Sequence, residues 1–248
     1  MSQQYGYYHS VETFGTVDGR GIRYVLFLAG CSLGCKFCHN PDTWVRGEKT
    51  ITAEQIMADI KKYRRYYEAS GGGITLSGGE PLLQPEFVRS VFSSCREAGI
   101  HTTLDTAGNV PEANLTGALA HTDAVLFSVK AVDPEKHRWL TGADNRRILA
   151  NLNKAAMSVP VIVRYVIIPG ITNDREDMKA LAELVATLPG KVSVELLPYH
   201  TFGRKKWAQL GRAYLLDGVP DAGPQDMVRA QTFLEEYDVK VLYETKAG

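Results

Sequence analysis

Six short runs rich in Val, Ile, Leu and Thr punctuate the chain, and each is followed by a stretch with apolar residues three or four positions apart. The runs are YVLFLAG (24–30), GITLSG (73–78), HTTLDT (101–106), AVLFSVK (124–130), VIVRYVIIP (161–169) and VSVELLPYH (192–200). Runs that are apolar on both faces belong to buried parallel strands. Strict alternation with helices then leaves a parallel sheet with right-handed crossovers. The fold class is α/β, as an open doubly wound sheet or a barrel-like curl. The spacing predicts a first helix from Thr52, with Gln55 closing a capping box and Ile56, Ile60, Tyr63 and Tyr67 on one face. Further helices are expected near 85–98, 112–120, 145–157, 174–188 and 224–237, and a last edge strand over VKVLYE (239–244).

No repeat, low-complexity stretch or Pro/Gly/Ser-rich linker divides the 248 residues. One domain over 1–248 is expected, with a core of about 20–200. A strand-and-turn segment (5–23) precedes the core, and an extension (201–248) that begins with a loop-rich stretch (201–224) follows it. Lys+Arg and Asp+Glu both total 28, so no overall field favours nucleic acid or an acidic membrane. The polar N-terminus and the lack of a long apolar run lead to the expectation of a cytoplasmic protein. Four cysteines, three of them clustered, make no disulfide framework.

Those three, Cys31, Cys35 and Cys38, follow the first strand in a C-x3-C-x2-C spacing. Thiolates suit zinc or iron–sulfur centres. Three cysteines on a 4Fe–4S cube leave one iron open to a reactant, whereas a structural zinc would be completed by His39. After the second strand, Ser77-Gly78-Gly79-Glu80-Pro81 offers backbone that can approach a ligand and a carboxylate at the same rim. It matches neither a P-loop nor a dinucleotide fingerprint. In a parallel sheet the strand ends share one rim. Asp105 and Thr106 end the third strand, Ser128 and Lys130 the fourth, and Tyr199 and His200 the sixth, while Arg164 interrupts the fifth. Polar groups in buried strands cost free energy unless paired or used, and so many together point to a converging site.

C-x3-C-x-Φ-C with Phe37 in the aromatic place, followed by GGEP, resembles the radical S-adenosylmethionine enzymes. The segments ETFGTVDGRGIRYVLFLAGCSLGCKFCHNPDTW, ASGGGITLSGGEPLLQ, LDTAGN, VRYVIIPGITND and LLPYHTFGRKKW are similar to the activating enzymes of glycyl radical enzymes. The resemblance covers nearly the whole chain and implies a partial (β/α)6, TIM-like barrel. It implies that Cys31, Cys35 and Cys38 hold a 4Fe–4S cluster whose fourth iron chelates S-adenosylmethionine. Phe37, Cys38 and His39 would lie by the adenine. Gly78, Gly79 and Glu80 would receive the methionine amino group. Asp105, Thr106, Ser128, Val129, Lys130, Arg164 and His200 would line the rest of the cofactor. Asp18, Gly19, Arg20 and Gly21 would grip the partner's glycine loop. The implied reaction is reductive cleavage to a 5′-deoxyadenosyl radical, which takes a hydrogen from a glycine Cα of the partner. With no eight-cysteine insert, pyruvate formate-lyase is the expected partner, and a flavodoxin or ferredoxin-type protein the expected reductant of a monomeric enzyme. A different glycyl radical enzyme, or a non-catalytic Cys3His zinc protein, are the alternatives.

Two positions depart from the family pattern. Arg20 stands where the family has Pro, losing a φ restraint and adding a charge. Ser128 stands where the family has an Asp that, with the carboxylate at Asp105, holds a monovalent cation, so a weakened dependence on sodium or potassium is expected. Elsewhere, Cys95 shares a helical face with Val88, Val91 and Phe92 and reads as core. KKYRRYY (61–67) reads as a solvated face with snorkelling basic residues. GRKKW (203–207) reads as a partner-docking segment or an exposed loop.

Overall fold

The computed structural model describes residues 4–242. Its strands are β1 (Tyr5–Gly15), β2 (Arg23–Leu28), β3 (Thr50–Thr52), β4 (Gly73–Gly78), β5 (His101–Thr106), β6 (Ala124–Ser128), β7 (Val161–Ile167), β8 (Val192–Pro198) and β9 (Val241–Leu242). They form one sheet in the order β3-β1-β2-β4-β5-β6-β7-β8-β9. Every pairing from β2 to β9 is parallel, and β1 joins β2 and β3 antiparallel. The helices are α1 (Ala53–Ser70), α2 (Pro85–Glu97), α3 (Glu112–Leu119), α4 (Pro134–Thr141), α5 (Arg146–Ser158), α6 (Arg175–Thr187), α7 (Arg204–Gln209) and α8 (Pro224–Glu235). The six expected helices and the six core strands are all present with small shifts at their ends. The short β3, α4 and α7 were not expected from periodicity. Of the predicted edge strand, residues 243 and 244 lie outside the described residues.

Local chemistry explains the elements. At the start of α1 the Thr52 hydroxyl accepts from the Gln55 N–H (3.2 Å), and the Gln55 side chain accepts from the Thr52 N–H (2.9 Å). Ile56, Ile60 and Tyr67 then face the core. Asp133 and Asp174 cap α4 and α6 by accepting from Lys136 and Asp177 N–H, each satisfying an otherwise orphaned donor. Val88, Val91, Phe92 and Cys95 are all fully buried, as the helical spacing of α2 requires.

The sheet separates two environments. Tyr24, Leu26, Ile74, Leu76, Leu104, Val125, Phe127, Val163, Tyr165 and Val194 are buried in the main apolar core, into which the helices also pack. The opposite face is polar and closes on itself. Asp18 precedes β2, and its carbonyl accepts from the Thr75 hydroxyl on β4 (2.7 Å). Its carboxylate meets Arg164 of β7 at 3.6 Å. Strands three places apart in a flat sheet are separated by about 14 Å, so these contacts require the curl of a partial barrel. Among the described residues no helix is long and apolar enough to cross a membrane.

Candidate active site

The cysteine loop leaves β2 through Gly30, whose φ of +98° turns the chain. Its backbone is fixed from two sides. Gly30 and Cys31 N–H donate to the carbonyls of Thr43 (2.8 Å) and Trp44 (3.3 Å), and Gly34 and Lys36 N–H to those of Thr141 (2.9 Å) and Leu140 (2.8 Å) at the end of α4. On the 38–42 side α7 clasps the loop. Trp207 Nε1 donates to the Cys38 carbonyl (2.9 Å), and Lys206 Nζ reaches Asn40 (2.7 Å) and Asp42 (3.1 Å). GRKKW is therefore mainly a brace for the cysteine loop, with Trp207 buried.

All three thiols are free. Burial pushes Cys31 up to about 11 and Cys35 up to about 12, and raises Cys38 as well, while the Lys130 ammonium opposes all three. Such thiols become thiolates when a metal charge compensates them. Among the described residues no three His, Cys, Asp or Glu side chains are gathered to hold one ion. The fit to an iron–sulfur cluster rests on the donors: three sheltered sulfurs with no imidazole among them. His39 stands edge to face with His200, their ring centroids 4.7 Å apart. Two further groups suit an organic cofactor. His200 Nδ1 is buried and finds no hydrogen-bond partner among the described residues. Lys130 Nζ stands 5.8 Å from the Phe37 ring centroid.

The Gly78–Glu80 turn differs from the expectation. A Cβ on Gly78 would lie 2.3 Å from Leu28 backbone, and one on Gly79 2.1 Å from the Gly30 carbonyl oxygen. These glycines let the chain after β4 pack against the chain entering the cysteine loop. Glu80 is fully buried. Its Oε1 accepts from Thr106 Oγ1 (2.7 Å) and Leu82 N–H (3.1 Å), and its Oε2 from Ala107 N–H (3.0 Å) and Gly108 N–H (3.3 Å). The Glu80 carboxylate and the Thr106 hydroxyl therefore bond each other and the neighbouring backbone. Val129 likewise lends no side chain, being buried in the core with its N–H on the Arg164 carbonyl (3.0 Å).

Arg164 organises the interior. Its Nε meets Glu195 Oε2 at 2.6 Å, its Nη1 meets Asp105 Oδ2 at 3.4 Å and Asp18 Oδ1 at 3.6 Å, and its Nη2 donates to the Val17 carbonyl. Asp105 also accepts from the Ser77 hydroxyl (2.7 Å), and Ser128 is the register partner of Arg164. Burial works against the Arg164 charge, but Asp105, Glu195 and Asp18 overrule it and hold the guanidinium firmly protonated. Burial, followed by Asp105, raises the Asp18 carboxyl.

Beneath this network the 16–22 segment forms the barrel floor. Arg23 is completely buried. It donates to Thr75 Oγ1 (3.0 Å), Thr103 Oγ1 (2.7 Å) and the Ile74 carbonyl. Burial lowers its pKa to about 10. The expected Asp18–Gly21 grip is split by this geometry. Asp18 points into the barrel, whereas the Arg20 guanidinium lies against Gly71 at the end of α1. Sequence reasoning missed Arg23 and Glu195, and gave Ser77 and Trp207 no role of their own within the motifs that hold them. Glu195 carried the signal that singled out Arg164, a lone charge within an apolar strand, whereas Arg23 opens β2.

The Radical SAM superfamily model matches residues 25–185. The chain is 42% identical to the pyruvate formate-lyase-activating enzyme of Listeria monocytogenes over 97% of this chain and 100% of that protein. It is 43% identical to the one from Staphylococcus aureus strain USA300 over 91% and 93%. Among solved structures, a domain of pyruvate-formate lyase-activating enzyme from Bacteroides vulgatus aligns with a TM-score of 0.58 at 27% identity, covering 69% of this chain and 98% of that one. A radical SAM methyltransferase from Sphaerobacter thermophilus aligns with a TM-score of 0.67 at 18% identity, covering 94% and 72%, a likeness of fold.

Proposed function

We propose, for a chain that belongs to the radical SAM superfamily and within it to the pyruvate formate-lyase-activating enzymes, that its partner is pyruvate formate-lyase. The chain is a radical SAM oxidoreductase that uses a 4Fe–4S cluster and S-adenosylmethionine. Together these supply one-electron cleavage of a sulfonium and abstraction of a hydrogen atom from a glycine Cα of the partner. The near-full-length match to activating enzymes of that lyase carries the choice of partner.

The residues divide the remaining work. Cys31, Cys35 and Cys38 would hold the cluster, with one of its irons left for the cofactor. Phe37 and His39 would flank the adenine. Backbone at Gly78 and Gly79 meets the methionine amino group, and Glu80 with Thr106 holds that turn in shape. Lys130 and His200 supply a charge and an unspent nitrogen to the cofactor. Ser128, Asp105 and Arg164 form the polar wall below it. Asp18 is the member of the floor segment that a glycine loop entering the barrel would reach. Sheltering the reaction from water and oxygen is the protein's main contribution beyond orientation. The enzyme works as a cytoplasmic monomer reduced by a flavodoxin or ferredoxin-type protein.

Anaerobic reconstitution with iron and sulfide, followed by dithionite, should give the paramagnetic signal of a reduced 4Fe–4S cluster. Adding S-adenosylmethionine and pyruvate formate-lyase should then produce a glycyl radical doublet. A reconstituted protein with no such cluster signal overturns the enzyme assignment. A doublet on another glycyl radical enzyme, with none on pyruvate formate-lyase, overturns the partner.

A further inference from the structure

Reducing a cluster held by Cys31, Cys35 and Cys38 requires an electron donor, and the surface beside those thiols determines which donors can approach. The outer side of residues 32–36 is framed by the end of α4 and the start of α5. Lys36, bonded directly to Cys35, holds its ammonium 3.8 Å over the ring of Trp139, which is 48% exposed. Arg138, Arg146 and Arg147 are all exposed around it. Arg146 and Arg147 line an open cavity of about 390 Å³ with Asn109 and Asp144. That cavity abuts the cysteine loop, because Ser32 Oγ donates to the Asn109 carbonyl (3.1 Å). Asp144, shared by Arg138 (3.1 Å) and Arg146 (2.9 Å), is the acid among these four cations. Glu135 lies one turn back along α4.

We infer that this surface, built on Lys36, Trp139, Arg138, Arg146 and Arg147, docks an acidic one-electron carrier protein that reduces the cluster. The inference rests on the function proposed above and adds the place of electron entry. One electron passes from the reduced carrier to the cluster, so the carrier is oxidised by one and the cluster reduced by one, with no atom transferred. The position on the cysteine loop is what selects a redox carrier over any other polyanion. The opposite flank of the loop also carries exposed cations, Lys205 and Arg212 among them, and serves as the comparison surface. There Arg204 is held by Asp217, and Lys206 by Asn40 and Asp42. Asp18, offered above to the partner enzyme, lies inside the barrel against Thr75 and Arg164 rather than on this surface.

The test uses the reconstituted enzyme with two donors, an acidic flavodoxin reduced to its hydroquinone and photoreduced deazaflavin, a small molecule that needs no docking surface. Lys36→Glu/Arg147→Glu should slow reduction by flavodoxin roughly tenfold or more at low salt, because opposed charge removes electrostatic steering. The wild-type rate should fall as salt rises, and the variant rate should change little. Reduction by deazaflavin should be the same in both. Arg146→Glu/Arg147→Glu, outside the cysteine loop, should behave likewise and covers a failure of the first variant to take up the cluster. Unchanged flavodoxin rates in both variants overturn the surface alone. So does a slowing seen only with Lys205→Glu/Arg212→Glu on the opposite flank. Failure of both donors to reduce a wild-type cluster overturns the functional reading as well.

Discussion

Arg164 and Glu195 face each other across β7 and β8, Nε to Oε2 at 2.6 Å, and this pair anchors the guanidinium that also serves Asp105 and Asp18. One cation thus answers three carboxylates whose side chains are 16–28% exposed, while its own is 10% exposed. Removing it leaves partly buried negative charges facing one another. Arg164→Met is therefore expected to destabilise the fold by about 3–5 kcal/mol, the range for breaking a buried ion pair. Adding Asp18→Asn should restore part of that loss by removing one of the repelling charges. Urea unfolding of the single and double variants checks both statements. A double variant less stable than Arg164→Met alone would contradict the arrangement.

Arg23 is expected to be a second keystone, because its fork satisfies two hydroxyls and a carbonyl inside the barrel. Arg23→Met keeps much of the volume but strands those groups without solvent. A loss of about 3 kcal/mol is expected, read as a lower denaturation midpoint. Arg23→Lys should fall between, since an ammonium keeps the charge without the planar fork.

The protein should lose stability in mild acid through two histidines. Burial lowers the pKa of His101, with Arg23 adding to it, and burial also lowers that of His137, both below the ordinary value of 6.5. Nε2 of His137 is buried with no partner among the described residues, so a proton there would have no acceptor. Below about pH 6.5 the unfolded chain binds protons that the folded chain refuses, and stability falls as pH falls. The contribution is present above that pH. His137→Gln should flatten the decline between pH 7 and 5, measured as unfolding free energy at each pH. An unchanged slope would remove His137 from the account.

Trp207 should control how firmly the cysteine loop keeps its metal. Trp207→Phe removes the donor to the Cys38 carbonyl but keeps a ring, at a cost of about 1 kcal/mol. Trp207→Ala also loses the packing with Trp44 and Tyr214, whose rings lie 5.3 and 5.5 Å away. Iron release to a chelator should be faster in Trp207→Phe than in the wild type and faster still in Trp207→Ala. Equal release from all three would show that α7 does not brace the loop.

Periodicity carried the helix and strand order because each buried face needs its own repeat, and six helices and six core strands follow from it. The cysteine loop was legible because thiolate spacing has few other uses. The internal bonds of Glu80 were not legible for a physical reason. A carboxylate beside two glycines has the same sequence whether it meets a ligand or closes on Thr106 and the N–H groups of Ala107 and Gly108, and long-range contacts decide. α4 was missed because its eight residues include only a few core positions. Arg20 was expected in the substrate-facing turn with Asp18; the positive φ of Gly19 and Gly21 turns the chain on either side of it, and its guanidinium lies against Gly71. Glu195 needed only the argument already applied to Arg164.

Activity should depend only weakly on sodium or potassium. Asp105, one of two carboxylates that would share a monovalent cation, already spends Oδ2 on the Ser77 hydroxyl (2.7 Å) and on Arg164 (3.4 Å). Ser128 brings a hydroxyl and no charge to the second position, and its register partner is Arg164. Arg164 therefore occupies the side of Asp105 that a cation would share, and no carboxylate stands at position 128 to complete such a site. Replacing potassium with choline at constant ionic strength should change the rate of 5′-deoxyadenosine formation little in the wild type. Ser128→Asp adds a fourth carboxylate to the same network, so its activity should rise with potassium. A steep potassium requirement in the wild type that Ser128→Asp leaves unchanged would show that Arg164 does not take the cation's place.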